Sequence, residues 1–491
     1  AAKLSLTGDW AFTIDTQDGT AVAPADYTAI VGGSGSITAG QTQTNVTVQV
    51  NGDWLVESNE TFRLLLSNPS NAEILVGTGT CTIVNDDYAF VWTGAGSNGL
   101  ASNTNNWRWN GSAATRLPAS GDEVLLDGTS FSNMTWDAGV SGLPAGVVKW
   151  TQAPAYSGTV TMATLYGSSG FTNFTVAGDL AINGGVWTHR PNSTTEANRL
   201  QVTVGGAFTL GASGQVNVAG MGYDPGKGPG GPGAINGIGG CHGGRGANWA
   251  VPMATYGSLV EPVSLGSGSS HADGGGAVYA VVAGQSTIHG TINAKGGESV
   301  PLYTSGAGGS IFLKTATISG SGTLDASGGA AAANWNAGGG GRAGVVLTSG
   351  SDFGSVAMLA RGGSGAWPGA AGTVYRKPSA PGVGAVTVEN GGVIATAGAL
   401  TDSALTPVDY STFSAVIVTN MGNLGIDSND TFNFAGVTLT AQDRDNSIVT
   451  ILSTNGVSFP HPFTSGAYTL AIRDAAIIDG DVTVPAAGRL S

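Results

Sequence analysis

Carboxylates crowd the first 90 residues of this 491-residue chain. Asp9, Asp15, Asp18, Asp26, Asp53, Glu57, Glu60, Glu73, Asp86 and Asp87 are opposed there only by Lys3 and Arg63. That is a surplus of eight within a whole-chain net charge of −14. Such crowding either repels itself or is neutralised by a cation. The acids fall where turns and strand ends are expected: Asp18, the spaced run Asp53, Glu57, Glu60, and Asp86 with Asp87 after Asn85. Gathered at one end of a fold they offer hard oxygen ligands in excess, the donor set that Ca2+ takes. Dispersed, they only cap turns.

Other chemistry is thinly represented, and no catalytic residue is assigned. Glycoside hydrolysis needs two carboxylates across a cleft. Asp273, Glu298, Asp325 and Asp352 are scattered singly, while the close pairs Asp427 with Asp430 and Asp443 with Asp445 have no histidine near them. The five histidines (His189, His242, His271, His289, His461) show no metal-site spacing. Cys241 beside His242 lies in a glycine-rich run with no visible activation. Cys81 and Cys241 allow one disulfide without demanding it. The negative charge excludes nucleic acid as a partner, and no run of about 18 apolar residues spans a membrane. No basic-then-apolar signal opens the chain, so either a signal has been removed or this is a piece of a longer product.

The elements that must position these residues are strands. Residues 1–88 alternate apolar and polar residues at 11–14, 44–50, 62–66 and 81–84, with turn pairs at Asp18-Gly19, Gly32-Gly33 and Asn51-Gly52. Short strands at this spacing form a β-sandwich. The words Asp18-Gly19-Thr20-Ala21, Asp26-Tyr27, Ile37-Thr38-Ala39-Gly40-Gln41, Glu60-Thr61-Phe62, Leu66-Ser67-Asn68-Pro69 and Ile83-Val84-Asn85-Asp86-Asp87 resemble the Calx-beta family. That resemblance implies an immunoglobulin-like sandwich whose calcium ligands correspond to Asp18, Asp53, Glu57, Glu60, Asp86 and Asp87.

One departure from the family pattern carries its own expectation. Calx-beta domains begin with a strand of the type Val-x-Val-x-Glu-x-x-Gly, and this chain has no residues left for it before the strand near Lys3. Its last residues do have the pattern: Val482, Thr483 and Val484 alternate, and Leu490 follows after Gly488. The family's Glu is absent, replaced within Pro485-Ala486-Ala487. A sandwich lacking an edge strand leaves backbone groups unpaired and core open. A strand from a neighbour fills both, and a head-to-tail contact that does not close gives a filament.

The rest of the chain is a glycine-punctuated ladder. Gly290-Thr291-Ile292-Asn293-Ala294-Lys295-Gly296-Gly297 recurs 32 residues later, ending Asp325-Ala326-Ser327-Gly328-Gly329. It recurs again, more loosely, ending Ala360-Arg361-Gly362-Gly363. Repetition at this period without helical spacing reads as a parallel β-helix, a β-solenoid with Gly-rich loops and about 12 rungs. The run at 220–276 carries prolines that forbid a central strand, so it leaves the solenoid. Glycine number 82 and charged residues make up only 10%, so solubility rests on hydroxyls, amides and backbone, as in extracellular β-structure. The pattern is similar to glycine-rich repeats of large secreted bacterial proteins. Residues 89–150 resemble, more distantly, the opening of the passenger regions of bacterial surface β-helix proteins. Their Trp92, Trp107 and Trp109 fit a cap over the solenoid core better than a sugar platform.

The expected organisation is all-β: a sandwich at 1–88, a capping segment at 89–150, a Gly-rich parallel β-helix at 151–480 and a donor strand at 481–491. The expected function is a calcium-stiffened subunit of a bacterial extracellular or cell-surface fibre, whose partners are identical subunits. The alternatives are a calcium-dependent adhesin for surface glycans or partner proteins and, third, a polysaccharide-degrading enzyme.

Overall fold

The computed structural model describes residues 8–52, 58–85, 88–138, 142–163, 166–167, 170–247, 253, 255–299, 303–380, 382–396 and 413–426. Beyond these it describes the backbone of the strands Phe432–Asn433, Thr438–Ala441, Ile448–Ile451, Val457–Ser458, Thr469–Ile472 and Arg489–Leu490. Regular structure among the described residues is all β, apart from a 3-10 turn at Thr104–Asn106. The chain divides into two compact units, residues 1–89 with 121–123, and residues 90–120 with 124–491.

In the first unit β1 (Trp10–Asp18), β2 (Gly33–Ile37), β3 (Glu60–Ser70) and β4 (Thr78–Ile83) form one antiparallel sheet in the order β2-β1-β3-β4. Period-2 alternation puts Trp10, Phe12 and Ile14 on one face of β1, and Phe62, Leu64 and Leu66 on one face of β3. Tyr27 stacks on Phe62 with ring centroids 4.3 Å apart, and both are buried with Ala21. The strand expected at 44–50 is only half realised. Val50 bridges Tyr27, and the Thr28 N–H donates to Gln49 O at 2.9 Å. The backbone of residues 43–48 makes no hydrogen bond to another described residue. Its sequence is that of a ladder strand, and the described residues supply no strand beside it.

The second unit is the solenoid. One ladder of ten strands contains Leu200–Val204, Ala277–Val282, Ser310–Thr315, Arg342–Leu347 and Thr373–Lys377 in successive parallel register. A second ladder pairs Gln215 with Thr291, Thr291 with Thr323 and Thr323 with Ala357. The repeat phrases are therefore stacked one above another. Glycine is required where turns touch backbone to backbone. A Cβ on Gly309 would lie 1.8 Å from Gly276 O, on Gly341 2.0 Å from Gly309 O, and on Gly372 1.8 Å from Gly341 O. No side chain fits such a column.

Three features depart from a uniform repeat. The solenoid makes about 9 turns rather than 12, because residues 220–276 leave the ladder without extending it. That excursion is held down by buried polar groups. His242 Nδ1 meets Gly308 O at 2.8 Å, the Tyr256 hydroxyl donates to Leu265 O at 2.6 Å, and Arg342 Nε donates to Tyr256 O at 2.9 Å. Next, Thr373–Lys377 and Gly384–Glu389 pair antiparallel before parallel pairing resumes with Phe413–Thr419, so the stack reverses once. Finally, residues 90–120 and 124–150 belong to this unit, and its sheet pairs Phe90 with Val124 and Val91 with Leu125. Trp92, Trp107, Trp136, Trp150 and Trp187 are buried in a chain of edge-on contacts with centroids 5.1 to 6.3 Å apart. The first two are core, not a sugar platform.

Two predictions follow from this packing. Gly341→Ala lowers the unfolding free energy by about 3 kcal/mol through overpacking. Gly111→Ala, at φ 70° with open space around it, lowers it by about 1 kcal/mol. Equal effects of the two in denaturant titrations would contradict the glycine columns. Acid acts through His189, which is 1% exposed, approaches Arg190 O with Nδ1 and accepts the Ala277 N–H at Nε2. Burial pushes its pKa down from 6.5 to about 4. The unfolded chain therefore takes the proton first, and stability declines as pH is lowered from 6.5 toward 4. A pH-independent melting temperature across that window would contradict this.

Candidate metal centre and open groove

The two ends of β1 carry different chemistry. At its C-terminal end the register pairs Asp18 with Phe62, and β3 pairs Glu60 with Ile83. The end of β1, the start of β3 and the end of β4 thus lie at one end of the sheet. Asp18 Oδ1 accepts the Tyr27 hydroxyl at 2.6 Å and the Ala23 N–H at 3.0 Å. These two donors, the Tyr27 hydroxyl first, hold its pKa below the ordinary Asp value. Asp18 Oδ2 accepts nothing from the described residues. The loop beyond Asp18 is fixed by Ala21 N–H to Thr61 O at 3.0 Å and Thr61 N–H to Thr20 Oγ1 at 2.8 Å. A Cβ on Gly19 would meet Thr61 O at 2.3 Å, so the tight turn needs glycine. Asp26 closes the loop through the Val22 N–H at 2.6 Å.

Of the six expected ligands, Asp18 and Glu60 are brought to this end. Asp53, Glu57, Asp86 and Asp87 lie outside the described residues. Among the described residues no three His, Cys, Asp or Glu side chains come together as a metal cluster. The donor chemistry nevertheless fits a hard cation. Asp18 is ionised at neutral pH with one oxygen uncommitted, and hard oxygen is what Ca2+ takes.

At the other end of β1 the sheet is open among the described residues. Trp10 and Phe12 of β1 with Leu64 and Leu66 of β3 floor a cavity of about 520 Å3, walled by Val46 and by residues 72–76. Leu75 and Val76 stand 87% and 77% exposed at its rim. An apolar groove of this kind beside residues 43–48, whose backbone is unpaired among the described residues, combines open core with an open edge. The sequence did not signal these lining residues. Their only sign was the run Ile74-Leu75-Val76, three consecutive apolar residues with no alternation.

The remaining expected site residues are placed as follows. Val482, Thr483 and Val484 lie outside the described residues. Leu490 pairs with Leu470 at the edge of the last parallel ladder of its own chain. The disulfide is not formed. Cys81 and Cys241 are both free thiols, and Cys241 is enclosed at 1% exposure with its sulfur accepting the Gly246 N–H. Burial raises that thiol to about 11, which also leaves it unreactive.

Comparison with known proteins matches residues 2–87 to the Calx-beta domain family. Among solved structures, CBD12 from CALX1.2 is 25% identical with a TM-score of 0.17, over 20% of this chain and 40% of that one. The calcium binding domain CBD12 of CALX1.1 is 26% identical with a TM-score of 0.17, over 20% and 41%. The chain thus spans about two-fifths of the length of the solved chains it matches. No curated protein matches.

The Asp18 geometry makes a direct prediction. Because its pKa is depressed, the stability it contributes is present above the unfolded value of 3.8 and is lost as pH drops through the folded value. Tyr27→Phe removes the larger cause, so the Asp18 carboxyl midpoint followed by NMR moves up toward 3.8. An unchanged midpoint would show that the Tyr27 contact is not what holds it.

Proposed function

We propose that this chain is a structural subunit of a bacterial extracellular fibre, in which a strand from one copy completes the first unit of the next. The observation that carries this reading is the 520 Å3 apolar groove beside residues 43–48, whose backbone is unpaired among the described residues. A β-strand is the ligand that satisfies both, through main-chain hydrogen bonds along the edge and alternate side chains in the groove. The segment with Val482 and Val484 has that alternation. Each apolar side chain it buries contributes about 1.5–3 kcal/mol, and each ladder bond about 1 kcal/mol net. Releasing Arg489–Leu490 from its own ladder edge breaks a two-residue pairing, a loss of roughly 1–3 kcal/mol.

Calcium, where bound, would be held by Asp18, Asp53, Glu57, Glu60, Asp86 and Asp87 and would cancel the repulsion among them. Asp18 is already aimed by Tyr27 and Ala23, and Glu60 is fixed at the first position of β3. A surface-adhesin reading is favoured by one observation, a cluster of part-exposed aromatic rings on the solenoid loops.

Deleting residues 481–491 abolishes fibres seen by negative-stain microscopy, and a peptide of those residues added to the intact chain shortens them. Fibres of normal length from the truncated chain would sink the proposal. Chelation of calcium lowers the melting temperature of the first unit, with saturation at 100 times Kd contributing about 2.7 kcal/mol. Unaltered melting after chelation removes the calcium part alone.

A further inference from the structure

Four aromatic residues stand at one spacing along the solenoid: His271, Tyr303, Trp335 and Trp367, each 32 residues after the last. Each comes just before a glycine at the base of a loop. Three of these loops close through one hydrogen bond, Gly306 N–H to Gly297 O at 3.0 Å, Gly338 N–H to Gly329 O at 3.3 Å, and Gly369 N–H to Gly363 O at 3.1 Å. The bases are themselves stacked. A Cβ on Gly338 would lie 1.9 Å from Gly306 O, and one on Gly369 2.1 Å from Gly338 O. The repeat that builds the rod therefore also delivers one ring per turn to the same face, on a foundation with no room to shift.

Three of the rings are in contact. His271 and Tyr303 stack with centroids 4.5 Å apart and planes 15° from parallel. Trp335 lies across both, 5.3 Å from Tyr303 at 64° and 5.7 Å from His271 at 70°. Unlike the buried tryptophans of the core, this cluster reaches the surface, and Tyr303 is 41% exposed. Its polar tips are also uncommitted. Trp92 and Trp107 spend their indole N–H groups on backbone carbonyls. The Tyr303 hydroxyl, Trp335 Nε1 and His271 Nε2 make no hydrogen bond to a described residue. Only His271 Nδ1 is engaged, at 3.1 Å from Thr304 Oγ1.

We propose that His271, Tyr303 and Trp335 form a binding patch for a neutral polysaccharide on the loop face of the solenoid. A pyranose presents an apolar C–H face and a rim of hydroxyls, which matches part-exposed rings whose edges carry unused donors. The three centroids lie 4.5 to 5.7 Å from one another, so the rings form one compact patch that a sugar unit of such a chain can cover. The rings carry no carboxylate or ammonium group among them, which favours a neutral glycan over a charged one. This site stands independently of the fibre reading.

The test is affinity electrophoresis of the full chain through gels containing xylan, mannan or hydroxyethyl cellulose, with pull-down on insoluble chitin. At least one of these retards or retains the wild-type chain. Trp335→Ala with Tyr303→Ala weakens that retention by about tenfold or more, while Trp335→Phe stays within about threefold. Thermal unfolding of each variant monitors the fold, and the glycan protects Trp335 fluorescence from acrylamide quenching. Failure of the wild-type chain to bind any of the four, or equal retention of the double variant with its melting temperature preserved, would overturn the proposal. If the double variant melts early, Trp335→Phe together with the quenching readout decides: no protection of Trp335 by the retained glycan also overturns it.

Discussion

Contact between backbones of successive turns, at distances that no Cβ permits, is the constraint on which the solenoid depends. In the column that starts at Gly276, Gly309, Gly341 and Gly372 each lie against the carbonyl of the glycine one turn before. Glycine is unfavourable for ordering because it loses the most backbone freedom. It is tolerated here because the close approach lets loop amides find carbonyls one turn away, as Gly308 does with Gly339 and Gly296 with Ser327. The buried backbone is thereby satisfied without side chains. A further consequence is register. Residues one period apart are held at one height per turn, so whatever the repeat carries outside the column is brought to one face.

The first unit shows the opposite condition, a pairing left incomplete among the described residues. Its sheet has the alternation of a sandwich half, and Tyr27 on Phe62 gives it a small core. The far end of the same face is left as a groove. β1 carries Asp18 at one end and Trp10 at the other, so the acidic loop and the groove share one strand. The surplus of carboxylates in this unit raises the free energy of the compact state by self-repulsion. Neutralising that charge and filling that groove are separate stabilisations of one sheet.

Much of this was legible in the sequence, for physical reasons that can be named. The solenoid declared itself because its glycines and alternating residues both repeat, and the ladder pairs Thr291 with Thr323 as the phrases align. The acidic end was legible because turn residues and acids coincide at Asp18 and Glu60. Pairing at residues 44–50 was not, because alternation reports what a strand can bury and not whether a neighbour exists to bond it. The reversal between Thr373–Lys377 and Gly384–Glu389 was hidden for a related reason, since parallel and antiparallel strands share one alternation. Nor did the sequence show that Arg342 is fully buried, its guanidinium held by Tyr256 O and Thr373 Oγ1. Those partners lie 86 and 31 residues away. The aromatic period was in plain sight at 32 residues but carried no meaning until the loops showed which positions reach the surface.

The central claim is that the open edge of the first unit is completed by a strand from a neighbouring copy. Amide hydrogen exchange of residues 43–48, compared between the chain at high dilution and the assembled material, tests it most directly. The account predicts fast exchange on dilution and slowing by about 100-fold or more in assemblies, confined to alternate amides along that edge. Equally fast exchange at residues 43–48 in both states would contradict it, whatever assemblies the chain forms.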